Sequence, residues 1–81
     1  MSMLTYGELR ALKAVYAGDV VRVYRSDGNI LRGKGVSSAA LWRLDAAKMI
    51  EDGPNTWGEL ERTCRQQLTA AGIAALSGDE R

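Results

Sequence analysis

Apolar and polar positions alternate along this chain with two different periods, and turn residues separate the stretches. Leu9, Leu12 and Tyr16 recur at helical spacing and predict one inward face of a helix over residues 5–17. Thr5-Tyr6-Gly7-Glu8 marks its start as a capping box. The threonine hydroxyl can accept from the Glu8 amide while the Glu8 carboxylate accepts from the Thr5 amide, and Leu4 and Leu9 are placed as a hydrophobic staple. Gly18 can take the left-handed conformation that stops a helix. Val20-Val21-Arg22-Val23-Tyr24-Arg25 is β-branched and aromatic, which predicts a strand. Ser26-Asp27-Gly28-Asn29 carries residues that tolerate positive φ, so Ile30-Leu31-Arg32 should return antiparallel and complete a hairpin over residues 20–33.

Gly33-Lys34-Gly35 leads into a second capped helix, predicted over residues 37–48. Ser37 is its cap, and Val36 and Leu41 form the staple. Leu41, Leu44 and Ala47 or Lys48 should face inward, with Trp42, Arg43 and Asp45 turned away. Asp52-Gly53-Pro54-Asn55 then breaks the chain.

Residues 56–68 read two ways. As a strand, Leu60, Cys64 and Leu68 share a face with the polar Arg62 and Gln66. As a helix, Trp57, Leu60, Cys64 and Leu68 form a stripe behind a second capping box, Thr56-Trp57-Gly58-Glu59, which echoes Thr5-Tyr6-Gly7-Glu8. The close of the chain, Leu68-Thr69-Ala70-Ala71-Gly72-Ile73-Ala74-Ala75-Leu76, reads as the end of an extended segment, a capping threonine and a short helix over 69–77 with a close-packing glycine.

Eighty-one residues make one domain near the lower end of what folds without staples. A hydrophobic content of 46% and a single proline argue against disorder. There is no Phe, so Leu, Val, Ile and Ala must supply most of a thin core, and dimerisation would bury more. Cys64 is alone, which rules out an intramolecular disulfide. Met1-Ser2-Met3-Leu4 lacks the features of a signal peptide, and no apolar run approaches the roughly 20 residues that span a bilayer. A cytoplasmic protein with no membrane partner is therefore expected.

The net charge of +1 says little, but its distribution says more: residues 10–48 carry a local +5 and residues 49–81 a local −3. A basic front and an acidic tail suit a molecule with one phosphate-facing side, or simply an uneven surface.

The order from Val36 to Leu76 resembles winged helix-turn-helix domains, especially the short, alanine-rich ones of actinobacteria and their phages. Val36-Ser37-Ser38-Ala39-Ala40-Leu41-Trp42-Arg43-Leu44 corresponds to a recognition helix, followed by a wing and a helix opening with Leu68-Thr69-x-x-Gly72. The chain departs from that pattern at three places. A hairpin stands where the positioning helix would be, Lys48 replaces the glycine that closes the recognition helix, and Ile73 takes a position that is commonly basic or polar.

The resemblance implies an α+β winged-helix-like domain over residues 1–78, with an N-terminal helix, a β-hairpin, a recognition-like helix, a wing and a short C-terminal helix, and with 79–81 as a disordered tail. It also favours strand over helix for 56–68, and it implies duplex DNA as partner.

In that reading Ser37 and Ser38 would donate to phosphate, Arg43 would reach a guanine edge, Arg32 and Lys34 would contact phosphate, and Arg62 and Arg65 would serve the wing. The plain alternatives are a helix cap for the serines and solvated surface for the arginines. Trp42 is open between core-edge packing, an anchor for a host protein or a second copy of the chain, and a DNA contact.

Catalysis finds little support. Without His the commonest general base and zinc ligand is missing, and Cys64 has no imidazole to activate it. Gly33-Lys34-Gly35 is too short for a phosphate loop, and Asp27-Gly28-Asn29 is only a fragment of a calcium loop. A non-catalytic protein without cofactors or metal is expected.

Overall fold

The computed structural model describes residues 4–54 and 62–79. The chain runs α1 (Tyr6–Ala17), β1 (Val20–Arg25), β2 (Gly28–Gly33), α2 (Ser38–Ala46), β3 (Ile50–Asp52), β4 (Arg62–Leu68) and α3 (Ala70–Asp79). It is an α+β fold with a four-stranded antiparallel sheet in the order β2-β1-β4-β3. Residues 56–61, including the second capping box, Trp57 and Leu60, lie outside the described residues. From Arg62 onward the segment is strand.

Local signals explain the element ends. The Thr5–Glu8 capping box closes reciprocally, at 3.0 and 3.1 Å. At the other end of α1, Gly18 takes φ 85°, and the amides of Gly18 and Asp19 satisfy the carbonyls of Val15 and Ala14. The first hairpin turns tightly through Ser26 and Asp27, with Arg25 paired to Gly28, so Gly28 and Asn29 belong to β2 and not to the turn.

One core lies between the helices and one face of the sheet. Ala11, Leu12 and Val15 of α1 meet Ala40, Leu41 and Leu44 of α2 over Val20, Leu31 and Ile50. Two inward assignments are corrected. Tyr16 is 77% exposed, because Ala11 and Val15 continue the Leu12 stripe in its place. Tyr16 instead borders a groove of about 310 Å³ with Leu68, Ile73 and Leu76. Ala47 and Lys48 are exposed and Ala40 is buried, because α2 ends at Ala46.

Lys48 closes α2 in the left-handed conformation, at φ 60°. Its amide bonds the Asp45 carbonyl and the Met49 amide bonds the Leu44 carbonyl, so the lysine performs the glycine's role at a side-chain strain cost.

The break expected from Asp52 to Asn55 begins later, because Asp52 belongs to β3 and pairs with Gln66. Strand β4 changes partners along its length: Arg62–Arg65 pair with β1, and Gln66–Leu68 pair with β3. Thr69 then caps α3 by accepting from the Gly72 amide at 3.1 Å, while its hydroxyl donates to the Lys48 carbonyl at 2.7 Å. The Thr69 amide donates to the Met49 carbonyl. A Cβ at Gly72 would collide with that same carbonyl oxygen, so only glycine fits. The Leu-Thr-x-x-Gly stretch is thus a clasp that fastens the start of α3 to the end of α2. Helix α3 continues to Asp79.

Candidate nucleic-acid interface

The α2 N-terminus is built by the Gly33–Ser37 turn. Gly35 sits at φ 79°, and Val36 packs over Gly33, where a Cβ would clash with it. Ser37 caps the helix, its Oγ accepting from the Ala40 amide at 3.1 Å. Ser38, the first helical residue, is exposed, as is Lys34.

Helix α1 adds a cation that sequence reading missed. Arg10 lies over the ring of Tyr6, 5.9 Å from its centroid, and brings a guanidinium nitrogen to 3.8 Å from the Cβ position of Gly35. Two elements therefore place Arg10 and Lys34 at the end of α2 where free amides favour anions. A basic residue one turn after a capping box is the signal that could have singled out Arg10, given the packing of α1 on α2.

The remaining sequence candidates are elsewhere. Arg43 is 56% exposed but donates to Glu8 at 2.9 Å, so it is tied to the α1 capping box. That capping box, through the Thr5 amide above all, holds the Glu8 carboxyl below its ordinary pKa. Arg32 and Arg65 flank Val21 from opposite sides, in a row across the sheet face away from the helices. Arg62 pairs through its backbone with Tyr24. The structure thus brings Lys34, Ser37 and Ser38 together, and sets Arg32 and Arg65 apart from them.

A second polar cluster surrounds Arg22, which is only 8% exposed. Its guanidinium donates to Asn29 at 2.7 Å, pairs with Asp45 and Asp52, and lies 5.7 Å from the Trp42 ring centroid. Asp45, expected to face away, turns to the sheet because Arg22 needs a countercharge there. Gln66, 2% exposed, completes the set by donating to Asp52 at 2.8 Å. The cluster stands where β4 passes from β1 to β3.

Burial pushes the Asp52 carboxyl up, but hydrogen bonds from Tyr24 and Gln66 and the Arg22 charge outweigh it, leaving Asp52 below its ordinary value. The same hydrogen bond to Asp52 raises the Tyr24 hydroxyl. Arg22 is fully engaged, and among the described residues no buried side-chain nitrogen or oxygen lacks a partner. The cluster locks α2 to the sheet. Trp42, at 38% exposure, is both its lid and a surface residue.

Cys64 is 1% exposed, and burial raises its thiol pKa, which disfavours the reactive thiolate. Among the described residues no group of acidic, Cys or His side chains could hold a metal, and no helix is long and apolar enough to cross a membrane. Comparison with family models, with characterised proteins and with solved structures finds no match.

Proposed function

We propose that the chain is a non-catalytic, winged-helix-like domain that binds duplex DNA through the N-terminal end of α2. The observation that carries this reading is the convergence of Arg10 from α1 with Lys34 and the exposed Ser38 at a capped helix start. Phosphate is the ligand such an end favours, and Ser38 is small enough to let a groove edge approach. Arg43 would have to leave Glu8 to read a base, so it is secondary. Of the wing strands, β3 carries Glu51 and Asp52 and is not a phosphate surface, so wing contacts would fall to Arg62 and Arg65 of β4.

Anisotropy of a labelled duplex over a salt series tests the reading. The Arg10→Ala, Lys34→Ala double variant should bind more weakly on every sequence and flatten the slope of log affinity against log salt by about 2. Absence of duplex binding by the wild type at low salt, or an unchanged slope in the variant, contradicts it.

The second reading is a protein-interaction module. It is favoured by the partial exposure of Trp42 on a helix side that also exposes Ala39 and Ala46, small residues that permit close approach. A host-protein partner lost on Trp42→Ala, with no duplex binding, would support it.

A further inference from the structure

We propose that β2 is a self-association edge through which two copies of this chain join antiparallel, centred on Leu31, in an arrangement independent of DNA binding. Strand β2 is six residues long, pairs among the described residues only with β1, and carries neither proline nor lysine, Arg32 being its one charged side chain. The two-residue turn makes Arg25–Gly28 a hydrogen-bonded pair. Ile30 and Arg32 therefore also bond to β1, while the backbone groups of Asn29, Leu31 and Gly33 point outward. Of these, among the described residues only the Gly33 carbonyl has a backbone partner, the Val36 amide at 3.4 Å.

Both faces beside this edge expose an apolar side chain. Ile30 is 38% exposed on the face away from the helices. Trp42, also 38% exposed, shares the Arg22 guanidinium with Asn29 on the other face. Two such edges are self-complementary. The outward groups of Asn29, Leu31 and Gly33 can meet with a two-fold axis at any of residues 29–33. An axis at Leu31 forms the most hydrogen-bonded pairs: 29–33, 31–31 and 33–29. An axis at Ile30 forms 29–31 twice, and one at Arg32 forms 31–33 twice and also sets Arg32 against Arg32. An axis at Gly33 would set Arg32 against Lys34, a like-charge pair, and one at Asn29 would run into the Ser26–Asp27 turn. An axis at Leu31 pairs residues 29–33 of each copy. It sets Arg32 against Ile30, whose exposed surface the arginine stem covers, and Asn29 against Gly33, which has no side chain to obstruct Trp42.

Sedimentation velocity over a concentration series tests this with two substitutions at one exposed position, checked for folding by circular dichroism. The wild type should show a monomer–dimer equilibrium. Ile30→Lys puts a like charge beside Arg32 twice per dimer and should raise Kd by about tenfold or more, whereas Ile30→Glu puts an opposite charge there and should keep or tighten the dimer. A wild type that is monomeric at every concentration overturns the proposal, including one that instead captures an added extended peptide at this edge. A dimer that survives Ile30→Lys, or that both substitutions weaken equally, overturns it as well.

Discussion

The two ends of α2 are both polar, and they use their polar groups in opposite ways. At the C-terminal end, Lys48 holds the left-handed position, Thr69 bonds the Lys48 and Met49 backbone, and Asp45 reaches the buried Arg22. The backbone groups of Lys48 and Met49, the Thr69 hydroxyl and the Asp45 carboxylate are engaged within the fold. At the N-terminal end, Ser37 is engaged as the cap, but Ser38 and Lys34 face solvent beside Arg10. Residue type alone does not separate a binding surface from a structural one. What separates them is whether the fold has already used the hydrogen-bonding and charge capacity of each group. By that criterion the stretch that carries the family resemblance most visibly, Leu68–Gly72, is structural.

Substitutions at the two ends should therefore fail in different assays. The largest expected effect is Gly72→Ala. Its methyl would meet the Met49 carbonyl, a backbone atom that cannot move without opening the clasp, so unfolding by denaturant should show a loss of about 3 kcal/mol.

Arg22→Met should come next, at about 2 kcal/mol. This is below the usual cost of breaking a buried pair, because Asp45 and Asp52 are partly exposed and can return to water. The variant also changes the acid limb. Asp52 is depressed in the folded state, so its contribution is present above its unfolded pKa and is lost as pH falls through the folded value. Acid denaturation should accordingly be shallower in Arg22→Met than in the wild type.

The smallest effect has the opposite sign. Lys48→Gly relieves a side chain at φ 60° and should stabilise by about 1 kcal/mol, read as a raised denaturation midpoint. If Lys48→Gly destabilised, or Gly72→Ala were neutral, the C-terminal end of α2 would not be the clasped region described.

The parts legible in the sequence are those set by near neighbours. The Thr5–Glu8 box, the Ser37 and Thr69 caps and the Gly18 stop each depend on residues within one helical turn, and all appear where their spacing put them. The Arg22 cluster was not legible, because Asp45 and Gln66 stand 23 and 44 positions away from Arg22. In β1 the alternation is also hidden. Val20 and Arg22 are buried on one face while Val23 is buried on the other, so the run looks uniformly apolar around one charge. Tyr16 was misplaced because Val15 and Tyr16, three and four residues after Leu12, flank the Leu12 direction on opposite sides, and the core lies on the Val15 side. Of the candidate interface, Lys34, Ser37 and Ser38 were visible in their spacing. Arg10 required the packing of α1 against the α2 loop.

The most direct test of the contrast is residue-resolved. Backbone amide spectra recorded while a duplex is titrated in at low salt should shift at Arg10 and across Lys34–Ala39, and should leave Ala47–Met49 and Thr69–Gly72 in place. Shifts concentrated at the clasp or along β3, with Lys34–Ala39 unmoved, would contradict the assignment of the two ends.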